Sequence, residues 1–91
     1  MAIVVISKAP GVTAEQDKMM IAALDLEGNP PAGARARLAG PTEGGWQIIS
    51  LWDSQESWDA FVSERLTPAL DRAGRSMPDY EVWPVESELF V

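Results

Sequence analysis

The order of strand and helix signals is the feature that most restricts how this 91-residue chain can fold. Residues 2–6 form a β-branched run that is apolar on both faces, which predicts a strand with neighbours on either side. Residues 34–39 and 46–52 are two more strand segments, joined by a glycine-rich turn over residues 40–45, and they predict a β-hairpin. A last strand is predicted over residues 79–85.

Two helical patterns lie between these strands. Thr13 followed by Gln16 has the spacing of a capping box, which predicts that a helix begins there. A second helix is predicted after Asp53 or Ser54, either of which suits the cap. Pro68 is expected to interrupt this second helix and to begin a short further one, since proline is accepted in a first helical turn but not in a helix interior.

The resulting order, β-α-β-β-α-β, is that of a ferredoxin-like α+β fold, and we expect one domain over residues 1–91. Both helices then cover one face of a four-stranded antiparallel sheet and leave the other face open. We expect the open face to carry the large apolar side chains Ile3, Val5, Trp46, Ile48, Trp52 and Val82. Leaving them in water would forfeit on the order of 10 kcal/mol. A second copy of the chain is the simplest cover, which predicts a homodimer built as a dimeric α+β barrel, with the apolar tail over residues 89–91 adding to the interface.

Composition excludes several kinds of chemistry. The chain has no cysteine and no histidine, which removes disulfides, thiolate and ordinary zinc sites, histidine-ligated haem, and catalysis by either side chain. We therefore expect no metal and no cofactor. A formal net charge of −7 repels phosphate backbones, so no nucleic-acid partner is expected. Without a long apolar run or a secretory signal, the sequence predicts a cytoplasmic protein with no membrane partner.

Two arginines, Arg35 and Arg37, stand two positions apart on the second predicted strand, so a regular strand would turn both to one face. One reading leaves them on an exposed face or in ion pairs with Asp79 or Glu81. The other reading places Arg37 inside the barrel, where its planar guanidinium would bind an acidic or phenolic ligand. The residues alone leave both readings open.

The third predicted strand turns Trp46, Ile48, Ser50 and Trp52 to one face. These side chains either form sheet core and dimer interface, or they line a pocket for a flat ligand with Ser50 as its polar contact. One register of the hairpin places the two arginines on this same face, and the neighbouring register does not.

Tyr80 and Asp53 also have both a structural and a functional reading. Tyr80 shares a face of the last strand with Val82, and its hydroxyl either donates into a cavity or stays in water. Asp53 fits a helix cap, and with its side chain turned inward it would be the nearest candidate base. Trp58 and Phe61 have the spacing of a helix face packed on the sheet, and we assign them to the core.

A series of short motifs runs along the chain. They are Pro31-Ala32-Gly33, Ala39-Gly40-Pro41, Gly44-Gly45-Trp46, Trp52-Asp53-Ser54-Gln55-Glu56 with Trp58 and Phe61, and Arg65-Leu66-Thr67-Pro68-Ala69-Leu70. In these motifs the chain resembles the small dimeric α/β-barrel proteins of the antibiotic-biosynthesis-monooxygenase-like superfamily. The motifs consist mainly of turn glycines, caps and core aromatics, so the resemblance is specific for the fold rather than for an activity.

The resemblance implies a homodimer that binds a hydrophobic oxygenated aromatic small molecule, as a cofactor-independent monooxygenase would. On this reading Arg37 and Tyr80 are catalytic, and a ligand between the open sheet face and the partner subunit contacts Arg35, Trp46, Ile48, Ser50, Trp52 and Val82. Relatives often carry a histidine where this chain has Arg37, so a mechanism that uses that histidine is not implied. The alternatives are a polyketide cyclase or isomerase, for which the sequence shows no clear proton acceptor, and a non-catalytic binding or structural dimer.

Overall fold

The computed structural model of the chain describes residues 1–91. Its elements are β1 (Ile3–Pro10), α1 (Ala14–Leu24), β2 (Ala34–Thr42), β3 (Gly45–Trp52), α2 (Gln55–Phe61), a π-helical turn (Val62–Leu66), α3 (Thr67–Arg72) and β4 (Asp79–Pro84). The strands form one antiparallel sheet in the order β2-β3-β1-β4, which is the predicted ferredoxin-like α+β topology. β1 lies between two neighbours, as its apolar sequence predicts.

Side-chain caps set where the helices begin. The Thr13 N–H donates to Gln16 Oε1 at 3.0 Å and the Gln16 N–H donates to Thr13 Oγ1 at 3.2 Å, which confirms the capping box at α1. At α2 the cap is Ser54, whose Oγ accepts from the Ser57 N–H at 3.1 Å. Asp53 is thereby left outside the helix and available to another partner.

The β2–β3 hairpin is tighter than the sequence predicts. Thr42 and Gly45 are paired, so only Glu43 and Gly44 connect the strands rather than residues 40–45. Pro41 is accepted within β2 because β2 is an edge strand, where a missing N–H can face away from the ladder.

Pro68 lies in the first turn of the short helix α3, as predicted, but it does not interrupt the helical path before it. Residues 55–72 follow one helical path, in which the Thr67 N–H donates to the Val62 carbonyl five residues earlier. In a regular α-helix the ring of Pro68 would clash with the carbonyl four residues before it. The wider π-helical turn directly precedes the proline, and the helix passes it without ending.

The strand register sorts the sheet's side chains onto two faces. Residues paired across the ladder share a face, and Ile3 pairs with Trp52 while Val5 pairs with Val82. Ile3, Val5 and Trp52 are among the most buried side chains of the protein. This covered face packs against the helices, where the rings of Trp52, Trp58 and Phe61 have centroids 5.1–5.9 Å apart.

The predicted membership of the open face is therefore wrong. The register places all six of its predicted residues on the covered face, namely Ile3, Val5, Trp46, Ile48, Trp52 and Val82. The physical reason is that β1 is apolar at odd and even positions alike, so its sequence does not distinguish the two faces. Only the position of the helices makes that choice.

The open face is nevertheless apolar. Val4, Ile6, Ile49 and Leu51 form its half-buried centre, from β1 and β3. Leu38 on β2 is 68% exposed and Trp83 on β4 is 56% exposed, and both lie on this face. The tail residues Leu89, Phe90 and Val91 are exposed as well. An uncovered apolar face thus exists, although its residues differ from the predicted ones.

Candidate functional site

A cavity of about 290 Å³ lies between the covered face of the sheet and the helices. Hydrophobic residues account for 14 of its 23 lining residues, so a few polar side chains decide what it can hold. From the sheet it is lined by Ser7, Ala9, Arg37, Ile48, Ser50 and Trp52, and from the helical segments by Asp17, Met20, Ile21, Leu24, Trp58, Phe61 and Leu66. Its volume and its apolar lining are those of a site for a small organic molecule.

The principal polar group of the cavity is an ion pair between Arg37 and Asp17. Arg37 Nη2 donates to Asp17 Oδ1 at 2.6 Å, and Nη1 donates to Oδ2 at 3.3 Å. The Asp17 side chain is only 8% exposed and that of Arg37 is 27% exposed. A charge pair of this kind is stable away from water only because each charge satisfies the other.

Asp17 reaches the cavity because of its position on α1. It shares a helix face with Met20, Ile21 and Leu24, which follow it at three, four and seven positions and line the same cavity. This carboxylate is a functional candidate that the sequence reasoning missed. The signal is an acidic residue on the apolar stripe of an amphipathic helix, because a purely structural helix would place a hydrophobic residue there.

Ser50 lies beside this ion pair. It is the ladder partner of Arg37 across β2 and β3. Its Oγ accepts a hydrogen bond from Trp52 Nε1–H at 2.8 Å. Since the indole can only donate, the hydroxyl proton of Ser50 is left to donate to another acceptor. Ser50 therefore has the chemistry of a polar contact inside an apolar cavity.

Arg35 has a different environment from Arg37, because the β2–β3 ladder is irregular at this point and shifts register between Ala34 and Ala36. Arg35 lines the cavity, but its guanidinium donates to Asp53 at 2.5 Å and to Glu88 at 2.7 and 2.9 Å. The hydrogen bond to Asp53 and the charge of Glu88 raise the pKa of Arg35 above its ordinary value. It remains charged at every pH at which the protein would be studied.

Three of the alternatives that the sequence left open for these arginines and for Asp53 differ from what the structure shows. The ladder shift means that Arg35 and Arg37 do not act from one face as a pair, since each has its own acidic partners. Those partners are not Asp79 or Glu81, which lie on β4 at the opposite edge of the sheet from β2. Asp53 does not turn inward as a base but holds Arg35 at the surface.

The structure divides the predicted site residues into two groups. Arg35, Arg37, Ile48, Ser50 and Trp52 line the cavity. Trp46, Tyr80 and Val82 do not, although all three lie on the covered face. Trp46 pairs with Ala9 near the hairpin end of the sheet, and Tyr80 is 40% exposed. Tyr80 does pack edge-to-face on Trp58, with ring centroids 5.2 Å apart.

Trp58 and Phe61 have a second role beyond the core. Both are buried, as predicted, and both also line the cavity. The Nε1–H of Trp58 is buried without a hydrogen-bond partner, and a group of this kind is uncommon in folded proteins. Their helical spacing alone does not separate a core contact from a cavity wall.

A metal site and a membrane-spanning helix each require a particular feature of the chain. Its acidic side chains do not gather in groups of three or more that could hold a metal ion. None of its helical segments combines the length and the hydropathy that a membrane span needs.

Comparison with known proteins gives matches at the level of structure. A protein from Chloroflexus aurantiacus proposed to be an antibiotic biosynthesis monooxygenase superposes with a TM-score of 0.64 at 22% identity, over 97% of each chain. A variant of SnoaB, a cofactor-independent oxygenase from Streptomyces nogalater, superposes at 0.67 with 9% identity, over 97% of this chain and 95% of that one. A protein of unknown function from Nitrosomonas europaea gives 0.66 at 19%, over 99% and 92%. No protein-family model and no curated protein matches the sequence.

Proposed function

Because the chain has the fold of the antibiotic-biosynthesis-monooxygenase-like proteins, we propose that its cavity binds a small hydrophobic aromatic molecule with an acidic hydroxyl group. The observation that carries this proposal is the Arg37–Asp17 pair, a partly buried donor and a buried acceptor in a cavity whose lining is mostly apolar. A phenolic hydroxyl can donate to the carboxylate and accept from the guanidinium. An aliphatic molecule without a hydroxyl would use neither group.

The charged, hydroxyl-bearing and larger apolar side chains of the cavity have separate roles in this proposal. Arg37 donates two of its N–H groups to Asp17, and its remaining N–H groups donate to the oxygen of the ligand. Ser50 donates its free hydroxyl proton to a second oxygen. Trp52, Ile48 and Trp58 form flat apolar walls for the ring. Arg35 closes the wall near the C-terminal tail, where Glu88 holds it.

The reaction we propose is cofactor-independent monooxygenation of the bound phenol. Asp17 takes the hydroxyl proton, Arg37 stabilises the oxyanion, and the apolar walls exclude water. The electron-rich anion reduces dioxygen. One oxygen atom enters the ring as a quinone oxygen and the other leaves as water, so the substrate supplies all the electrons. Tyr80 enters this scheme as a positioning residue through its contact with Trp58, and Trp46 and Val82 support the sheet beneath the site.

Two measurements test this proposal. Titration of the protein with 2-naphthol and with dihydroxynaphthalenes in a calorimeter should give saturable binding, and an oxygen electrode should record dioxygen uptake with the dihydroxynaphthalenes. The matched variant is Asp17→Asn with Arg37→Gln, which removes both charges together and so leaves neither of them without a partner. It should lose most of the dioxygen uptake while the protein stays folded by circular dichroism. Absence of binding across the panel would refute the proposal.

Asp17 also supports a second candidate function. A cyclase or isomerase on this fold needs a proton acceptor near its ligand, and the sequence shows none clearly, whereas Asp17 lies in the cavity. An enzyme of this kind would exchange an acidic C–H proton of a bound ketone with solvent. Exchange in D₂O that is lost in Asp17→Asn, without any dioxygen uptake, favours proton transfer over oxygenation. Binding with neither reaction favours a non-catalytic module.

The apolar open face supports a homodimer as the working form. Only 11 of the 91 residues are buried within one chain, so a single copy has a small core. Two sheets packed face to face would cover Leu38, Trp83 and the apolar centre of the open face, and the tail over residues 89–91 would extend the contact. Sedimentation equilibrium should give about twice 9.9 kDa. Deletion of residues 89–91 should raise the dissociation constant of the dimer, and a stable monomer would contradict this assembly.

We place this activity in the cytoplasm. A chain without cysteine gains no stability from an oxidising compartment, and a small-molecule oxygenase needs only its substrate and dioxygen. Fractionation of cells that express the protein from its own gene is the direct measurement.

A further inference from the structure

A second depression adjoins the cavity. This outer groove, of about 480 Å³, has ten lining residues, of which only three are hydrophobic, and it includes the start of the loop after β1. Ala9, Val12, Met77, Pro78 and Arg75 line both the groove and the cavity. The two spaces therefore meet at these residues, and Arg75 stands at their junction.

Arg75 differs from the other arginines of the cavity in having no partner for its charge. Arg35 is paired with Asp53 and Glu88, and Arg37 is paired with Asp17. No carboxylate lies within ion-pairing distance of Arg75, and its side chain makes no hydrogen bond within the chain. Its main chain is nevertheless well held, since the Arg75 N–H donates to the Leu70 carbonyl at 2.9 Å.

We propose that Arg75 binds a carboxylate of the ligand, so that the substrate class is a hydroxylated aromatic carboxylic acid. This inference rests on the proposed function, which places the hydroxyl end of the ligand at Asp17 and Arg37. The Arg37 charge is already neutralised by Asp17, so the inner end of the cavity selects a hydroxyl rather than a full negative charge. The unpaired guanidinium of Arg75, at the junction of the cavity and the outer groove, selects the negative charge of the carboxylate.

The electrostatics of the whole chain make this single cation important. A net charge of −7 opposes the approach of any acid, and Asp79 lies on the outer groove itself. The carboxylate therefore binds at the inner end of the groove, where Arg75 meets the cavity, rather than beside Asp79. Arg75 is a half-buried residue, and its guanidinium can offer two parallel N–H donors to a planar carboxylate there.

The test compares two ligands that differ only in the acid group. Calorimetry at pH 7 measures the dissociation constants of 2-naphthol and of 6-hydroxy-2-naphthoic acid for the wild type and for Arg75→Gln, Arg75→Lys and Arg72→Gln. The wild type should bind the acid more tightly than the naphthol. Arg75→Gln should weaken binding of the acid by about tenfold, the effect of one charge-assisted hydrogen bond, and should leave the naphthol unchanged. Arg75→Lys should retain part of the preference.

The controls separate this inference from the proposed function. Arg72 lies exposed on α3 outside both spaces, so Arg72→Gln removes the same charge from the chain and should not change either constant. If both ligands bind and Arg75→Gln affects them equally or not at all, the carboxylate site is refuted while the phenol site stands. If neither ligand binds the wild type, both proposals fall.

Discussion

Replacing Arg37 by alanine should destabilise the protein far more than replacing Arg35, although the two residues are two positions apart on one strand. Arg37 is the only partner of Asp17, whose side chain is 8% exposed and whose two carboxylate oxygens lie 2.6 and 3.3 Å from the guanidinium. Arg37→Ala leaves that carboxylate buried and without a partner. The Arg35 side chain is 42% exposed and pairs with both Asp53 and Glu88, which are themselves in contact with solvent.

The magnitude follows from this difference in burial. Removing one partner of a buried ion pair costs about 3 kcal/mol, at the low end of the usual range because Arg37 is partly exposed. In a domain of this size each 1 kcal/mol lowers the melting temperature by roughly 4–8 °C, so Arg37→Ala should melt roughly 12–24 °C below the wild type. Arg35→Ala should melt much closer to it. Both are measured by circular dichroism at one fixed protein concentration, since dimerisation makes the melting temperature depend on concentration.

A double variant gives the decisive comparison. When Asp17→Asn is combined with Arg37→Ala, no unpaired charge remains. The double variant should therefore lose less free energy of unfolding than the two single variants lose in sum, by about 1 kcal/mol or more. Equal losses for Arg35→Ala and Arg37→Ala would refute the assignment of a buried pair. Strict additivity of Asp17→Asn and Arg37→Ala would refute the coupling between them.

The remaining predictions concern the open face and one glycine. Leu38→Glu should shift the sedimentation equilibrium toward monomer, because Leu38 is 68% exposed on the open face; Met19→Glu, at a side chain 69% exposed on α1, is the control that should leave it unchanged. Gly33→Ala should lower the free energy of unfolding more than Gly74→Ala in urea titrations. Both glycines have positive φ, but only at Gly33 would a Cβ lie 2.3 Å from Ser57 Oγ. Similar losses at both positions would contradict this prediction, because they would show that the loop before β2 can move to accommodate the added Cβ.

The sequence by itself determined the order of elements and therefore the fold. The capping box at Thr13, the β-branched run of β1 and the helical spacing of Trp58 and Phe61 are local signals, and local signals specify elements wherever the chain lies in space. The motifs of turn glycines and caps pointed to the same fold, and the structural comparisons agree with it.

Only the tertiary structure decided which face of the sheet the helices cover, because β1 is apolar on both faces and offers no local preference. That choice moved Trp52 and Ile48 from an expected interface into a cavity between helix and sheet. The irregular ladder before Arg37 arises when β2 pairs with β3, and no residue in the sequence predicts it. The Arg37–Asp17 pair joins residues 20 positions apart on different elements. Such a contact exists only once helix and sheet are packed together, and this packing is why the chemistry of the site could not be deduced from spacing along the chain.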